Sequence, residues 1–311
     1  MLYSYAKLSN YDFGIIRFVG PGLGNLLFPW ARSVIATKRH NLTPIWPTWP
    51  QLKIGTILRN EPDKRFYFGL FKSPSGYVDQ WRKLYLLNLL KHVPEEQCEE
   101  SLRKNENSIV IFEGMKSYFS DIIPYHQLVK EELLSVTLEQ HKKGLLYNFA
   151  NSISVHIRLG DFSTPNQIES LKQGRSSLRI PLVWYVQIIN QLRHKLGKNL
   201  PIYVFSDGRN EELSELLSMS NVQRISFGSA IADLLALSNA NILIASGSTF
   251  SMWASYLGQM PVIWYPGQLR YRLYYEYPQL ELECGESEIL PEVFLNSLVS
   301  KQTLWNQPLQ Y

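Results

Sequence analysis

The sequence predicts an α/β protein built on parallel sheets, and three observations carry that expectation. Its 311 residues suit two cores of ordinary domain size. From Ser152 onward, short apolar runs alternate with amphipathic segments in strict succession, the pattern of a parallel sheet wrapped on both faces. Several apolar runs end in polar turns, which is where open α/β sheets bind ligands.

In chain order, Phe13 to Val19 reads as a strand running into Gly20-Pro21-Gly22-Leu23-Gly24-Asn25, with a helix from Leu26 to Lys38 behind it. Such a loop brings backbone N–H groups close to a ligand at a helix N-terminus. It also reads as a tight turn needing positive φ, and it has neither Gly-x-Gly-x-x-Gly spacing nor a P-loop Lys. Thr43 to Trp46 is a strand, with Pro44, Pro47 and Pro50 excluding helix there. Residues 50 to 106 give little beyond a helix from Trp81 to Leu90; the basic, aromatic stretch Lys64 to Lys72 reads as a loop that contacts substrate or as a solvated connection, and no chemistry is assigned to it. Asn107 to Glu113 is a buried strand, and Tyr125 to His141 an amphipathic helix with Leu128, Leu133, Leu134 and Leu138 inward.

The second unit opens with Ser152 to Phe162, where Ile153, Val155 and Ile157 alternate with polar residues until Arg158, Gly160 and Asp161 break the pattern. A polar insertion, Ser163 to Arg179, precedes a helix from Pro181 to Leu196. Then come strands at Leu200 to Phe205, Val222 to Ser226, Asn241 to Ala245 and Pro261 to Trp264. Helices at Asn210 to Leu217, Ile231 to Leu237 and Phe250 to Leu257 separate them, and a last helix spans Ser287 to Ser300.

Composition narrows the function class. With 45% hydrophobic and 19% charged residues the chain folds. Its 8 Trp, 18 Tyr and 14 Phe suit sugar faces or bases as well as core packing. The net charge of +4 favours an anionic partner. No basic stripe suggests nucleic acid. Cys98 and Cys284 are far apart and form no metal spacing, which fits a reducing compartment. The N-terminus lacks a signal-peptide pattern and no apolar run reaches about 20 residues, so the expectation is a cytoplasmic protein with peripheral membrane contact.

Three strand ends collect the candidate chemistry: His156 to Asp161, Ser206 with Asp207, and Ser246 to Ser251. Parallel strands would put all three at one edge. Arg158 can grip a phosphate with paired hydrogen bonds, and burying it there without an anion would be costly. Ser246, Ser248, Thr249 and Ser251 offer hydroxyls and N–H groups to phosphate oxygens, or simply cap a helix. Asp207 can accept from a base or ribose, or act as a cap. Asp161 reads as a carboxylate fixing the loop or Arg158, and His156 as a core histidine or a proton carrier.

His156-Ile-Arg158-Leu-Gly160-Asp161-Phe162 resembles the His-x-Arg-Arg-Gly-Asp-Tyr motif of the α-1,2-fucosyltransferases. Gly22-Leu23-Gly24-Asn25, followed by Phe28, is similar to their Gly-Leu-Gly-Asn-Gln-x-Phe. Tyr203 to Asp207, Tyr118-Phe119, and the run from Asp233-Leu234 through Ser238, Asn241-Ile242 and Ser248-Thr249-Phe250-Ser251-Met252-Trp253 also match, in order. Four positions depart: Leu26, Leu159, Phe162 and Met252 stand where the family has Gln, Arg, Tyr and Trp.

The resemblance implies a GT-B fold, two Rossmann-like domains with parallel sheets facing a cleft. The expected division is 1–147 for the acceptor side, 148–285 for the nucleotide sugar and 286–311 for a C-terminal helix packing back. It implies an inverting, metal-independent transfer from GDP-fucose with no cofactor, to an oligosaccharide or lipid-linked glycan. Arg158 would hold the diphosphate and Asn25 would face the reacting centre. Gly22, Gly24, Ser206, Asp207, Ser246, Ser248, Thr249, Phe250 and Ser251 are the expected binding residues, with His156 and Asp161 beside Arg158. By location Asp12, Glu113 and Asp161 are candidate bases, and proton transfer assisted by the donor phosphate is the alternative. Another nucleotide sugar, which Leu159 invites, and a non-catalytic nucleotide- or glycan-binding role are the competing readings.

Overall fold

The computed structural model describes residues 1–53, 55, 65–196, 199–274 and 277–305. Lys64, at the start of the basic, aromatic stretch, and the last residues of the expected C-terminal helix lie outside the described residues. The chain forms two units, Met1–Lys143 with Gly228–Ala232, and Gly144–Phe227 with the chain from Asp233 on.

The first unit runs β1 (Leu2–Ala6), β2 (Tyr11–Asp12), β3 (Arg17–Phe18), α1 (Leu23–His40), β4 (Thr43–Ile45), β5 (Gln51–Leu52), α2 (Gln80–Leu89), β6 (Lys91–Pro94), α3 (Cys98–Arg103), β7 (Ser108–Phe112) and α4 (His126–Val136). Its main sheet is parallel in the order β4-β1-β7-β6. Alternate residues separate two cores: Leu2, Val110 and Phe112 pack with Cys98 on one face, and Tyr3, Tyr5 and Ile109 with Leu86 on the other. A small second sheet holds β2, β3 and β5.

Three sequence expectations change here. The central strand is β1, buried along its whole length, and Phe13 to Val19 is not one strand but a turn after β2 followed by the two-residue β3. Gly14, at φ 80°, makes the turn, because a side chain there would run into Leu84 of α2. The helix expected from Leu26 starts at Leu23, so Gly24 and Asn25 are its first turn and not loop. The α4 helix buries Val129, Leu133 and Val136 at i, i+4 and i+7, leaving Leu128, Leu134 and Leu138 half-buried.

The second unit runs β8 (Ile153–Ile157), α5 (Glu169–Lys172), α6 (Leu182–Lys195), β9 (Ile202–Ser206), α7 (Ser214–Leu217), β10 (Val222–Arg224), α8 (Ala230–Ser238), β11 (Leu243–Ile244), α9 (Thr249–Gly258), β12 (Val262–Trp264), β13 (Glu281–Glu283) and α10 (Glu292–Trp305). Its six strands are all parallel, in the order β10-β9-β8-β11-β12-β13. The predicted alternation is present, with β13 as an added edge strand and α10 starting later than expected. Ile153, Val155 and Ile157 pack with Trp184, Ile188 and Leu192 of α6 and with Phe294 of α10. From β8 the chain steps outward to β9 and β10, then returns to β11 on the other side. The strand order therefore reverses between β8 and β11, the place where such sheets open a crevice at their carboxyl ends.

Candidate nucleotide-sugar site

The carboxyl ends of β9, β8 and β11 are neighbours in the sheet, so the three predicted clusters meet at one edge. The β8 strand ends at Ile157, and Arg158 is the first residue of the turn. Its Nη2 donates to Asp161 Oδ1 at 2.6 Å, its Nη1 lies 2.8 Å from Asp207 Oδ2, and its guanidinium sits 5.6 Å from the centre of the Phe162 ring. The anion that a strand-end guanidinium requires is thus supplied by the chain itself, and Asp161 does fix Arg158.

Asp207 organises the turn. Its Oδ1 accepts the N–H groups of Leu159 (2.8 Å) and Gly160 (3.2 Å). Gly160 is required there, because a Cβ would lie 2.5 Å from Asp207 Oδ2. Ser206 accepts the Gly208 N–H at 3.0 Å and so shapes the turn after β9. Arg179, which the sequence did not single out, braces the same turn: its Nε donates to the carbonyls of Leu159 and Phe162 at 3.0 and 2.8 Å.

On the other side of the switch point, Ser248 is the N-cap of α9 and accepts the Ser251 N–H. Its capping reading therefore holds. The Ser246, Ser248 and Ser251 hydroxyls form a cluster, with His156 Nδ1 2.7 Å from Ser251 Oγ and 2.9 Å from Ser246 Oγ. His156 is buried and stacks on Phe250 at 4.9 Å. Burial, reinforced by the nearby Arg158 charge and only partly offset by Asp207, lowers its pKa to about 3. The imidazole is therefore neutral near pH 7 and acts as a hydrogen-bonding bracket between β8 and α9. Thr249 and Phe250 are half-buried at the start of α9.

Gly22, Gly24 and Asn25 belong to the first unit. Gly22 is the N-cap of α1 at φ −71° and no side chain caps the helix, while Gly24 is buried and Asn25 half-buried in the first turn. Of this loop's glycines only Gly20, at φ 132°, needs the conformational freedom of glycine.

Three of the four departures from the motif pattern are buried apolar side chains: Leu26, Leu159 and Met252 are 1%, 4% and 1% exposed. Leu159 joins the β8 core and packs on Gly208. The fourth, Phe162, is the ring beside Arg158. Among the described residues no cluster of His, Cys, Asp and Glu could hold a metal ion, and no helix is long and apolar enough to cross a membrane. Cys98 and Cys284 are both free and buried.

Comparison with known proteins adds the lineage. The chain is 27% identical to an α-1,2-colitosyltransferase of Escherichia coli over 187 residues, 58% of this chain and 61% of that protein. It thus spans about three-fifths of that relative's length. Among solved structures it is similar to the fucosyltransferase NodZ from Bradyrhizobium (13% identity, TM-score 0.46, covering 83% of this chain and 94% of that one). It is also similar to POFUT1 in complex with GDP (13%, TM-score 0.48, 84% and 97%). The family model for glycosyl transferase family 11 matches residues 107–263, just over half of the chain, which takes in the Arg158 turn, the Asp207 strand end and the serine cluster. On that match, the chain belongs to glycosyl transferase family 11.

Proposed function

We propose that this chain is an inverting α-1,2-fucosyltransferase that moves fucose from GDP-fucose to a sugar hydroxyl, such as that of a galactoside. The observation that carries the reading is Arg158, held in the turn after β8 at the switch point between β8 and β11. A guanidinium has five N–H donors, and the two carboxylates contact only two of its nitrogens. A diphosphate arriving at this edge competes with Asp161, the more exposed carboxylate at 36% against 17% for Asp207. The negative charge that develops on the leaving diphosphate then meets a fixed cation. Ser248 and Thr249 at the α9 N-terminus add a favourable dipole. This reading needs neither metal nor cofactor, because Arg158 supplies the positive charge.

Colitose is fucose without its 3-hydroxyl, and the named activity of the Escherichia coli relative favours a second reading in which the donor is GDP-colitose. The acceptor is an oligosaccharide or a lipid-linked glycan reached at the cytoplasmic face of the membrane. Support for membrane contact comes from α2, whose Trp81, Tyr85 and Leu89 recur every four residues and are 80%, 65% and 60% exposed. Donor turnover by Arg158→Ala tests the central claim. Near-normal activity of the soluble variant would refute it, and a thermal-shift comparison of GDP, UDP and CMP with the wild-type chain should show stabilisation by GDP alone.

A further inference from the structure

We infer that Arg270 is the second cation of the donor site, gripping the diphosphate from the β12 side while Arg158 faces it from the β8 side. The inference rests on the nucleotide-sugar reading above and adds a binding residue to that same edge of the second unit.

The charge balance comes first. In the turn after β8, Arg158 contacts both Asp161 and Asp207, and one cation against two carboxylates leaves the turn net negative. Arg179, which braces the turn, is paired with Glu212 at 2.9 Å and adds no excess. A diphosphate approaching this edge meets a guanidinium that is already neutralised. Favourable binding of an anion there calls for a further positive group close by.

Arg270 supplies it. The residue lies in the segment that follows β12, the strand next to β11 in the sheet. Its Nη2 is 3.4 Å from the carbonyl oxygen of Gly247, in the loop between β11 and α9 that also carries Ser246 and Ser248. Among the described residues this long contact is the one hydrogen bond the guanidinium makes, and it forms no ion pair. Its Nε is buried without a partner. A half-buried guanidinium with its donors unspent is costly to keep unless an anion completes it, and its planar fork matches phosphate oxygens.

The backbone that carries Arg270 is held firmly against the serine loop. Gln268 is 1% exposed, its Nε2 donates to the Leu171 carbonyl at 2.6 Å, and its side chain lies so close to Gly247 that a Cβ there would run into it. The Gln268 N–H donates to the Tyr265 carbonyl and the Leu269 N–H to Glu283 Oε1, each at 2.9 Å. Arg272, two residues on, is placed differently: it is exposed, and its Nη1 lies 3.5 Å from the carbonyls of Pro278 and Glu281. The switch point between β8 and β11 therefore has a guanidinium on each side, one balanced by carboxylates and one not. A diphosphate offers an anionic group to each, whereas a monophosphate offers only one.

Calorimetric titration of the full chain with GDP, GMP and UDP tests the assignment. Arg270→Gln should weaken GDP binding about tenfold or more and GMP binding less, with the urea midpoint unchanged because the side chain makes only one long contact. Arg270→Lys keeps the charge without the fork and should fall between wild type and Arg270→Gln. Arg272→Gln removes the same charge from an exposed position and should alter GDP affinity less than about twofold. GDP binding by Arg270→Gln within about threefold of wild type, an equal loss for GDP and GMP, or an equal loss in Arg272→Gln would overturn the assignment. A wild-type chain that binds UDP and not GDP, again through Arg270, would uphold the second cation and overturn the choice of donor. One that binds neither would overturn both.

Discussion

Asp207, at the end of β9, lies 2.8 Å from Arg158 through Oδ2 while its Oδ1 accepts two N–H groups of the turn that follows Arg158. One carboxylate therefore fixes both the charge and the backbone beside it. Asp207→Asn would turn an amide donor toward the guanidinium or abandon the turn. The expected outcome is a loss of about 1–3 kcal/mol in urea unfolding, with GDP affinity by calorimetry falling at least tenfold.

Gly160→Ala tests the same relationship from the other side. A methyl group 2.5 Å from Asp207 Oδ2 must displace that carboxylate. GDP affinity should fall as it does in Asp207→Asn, and the double variant should bind little worse than either single one, because both break one unit.

Leu159→Arg restores the second arginine of the family motif and should not restore any function. The side chain at 159 is buried against Gly208 and the β8 core, so a guanidinium there must displace packed apolar groups before it can reach Glu212, which lines the same cavity. We expect about 3 kcal/mol of destabilisation or insoluble protein, read by urea midpoint, and no gain in donor turnover.

His156 should make stability depend on pH. In the unfolded chain it titrates near the ordinary value of about 6.5, whereas in the fold its pKa is about 3. Between those values only the unfolded chain binds the proton. The His156 contribution is therefore complete above about pH 6.5 and is lost as pH falls toward 3, at roughly 1 kcal/mol per pH unit. Urea unfolding from pH 7 to 4 should show a steeper decline for wild type than for His156→Gln, by about one proton.

Membrane contact predicts a separable phenotype. Replacing Trp81 and Tyr85 by Ser removes two exposed rings from the outer face of α2. Co-sedimentation with phosphatidylglycerol vesicles should fall several-fold, while transfer to a soluble acceptor stays unchanged.

The α/β class, the strict succession of the second unit and the strand ends that carry Arg158, Asp207 and the serine cluster are legible in the amino-acid order. These are local signals: periodicity, turn residues, and charges placed where an apolar run stops. Which groups meet depends on the packed fold. Asp207 reaches Gly160 from 47 residues away, and Lys83 reaches Thr48 from 35. Which lone pairs are already spent, and which departures from a motif are merely core, depends on burial and on sheet order. Leu159 shows this most plainly: in the sequence it is a missing charge, and in the fold it is a buried side chain packed on a glycine. The strand β1 was missed for a related reason. Its residues alternate between two buried faces, Leu2 packing with Ala36 and Cys98 and Tyr3 and Tyr5 with Leu86, so no polar face marks it as a strand.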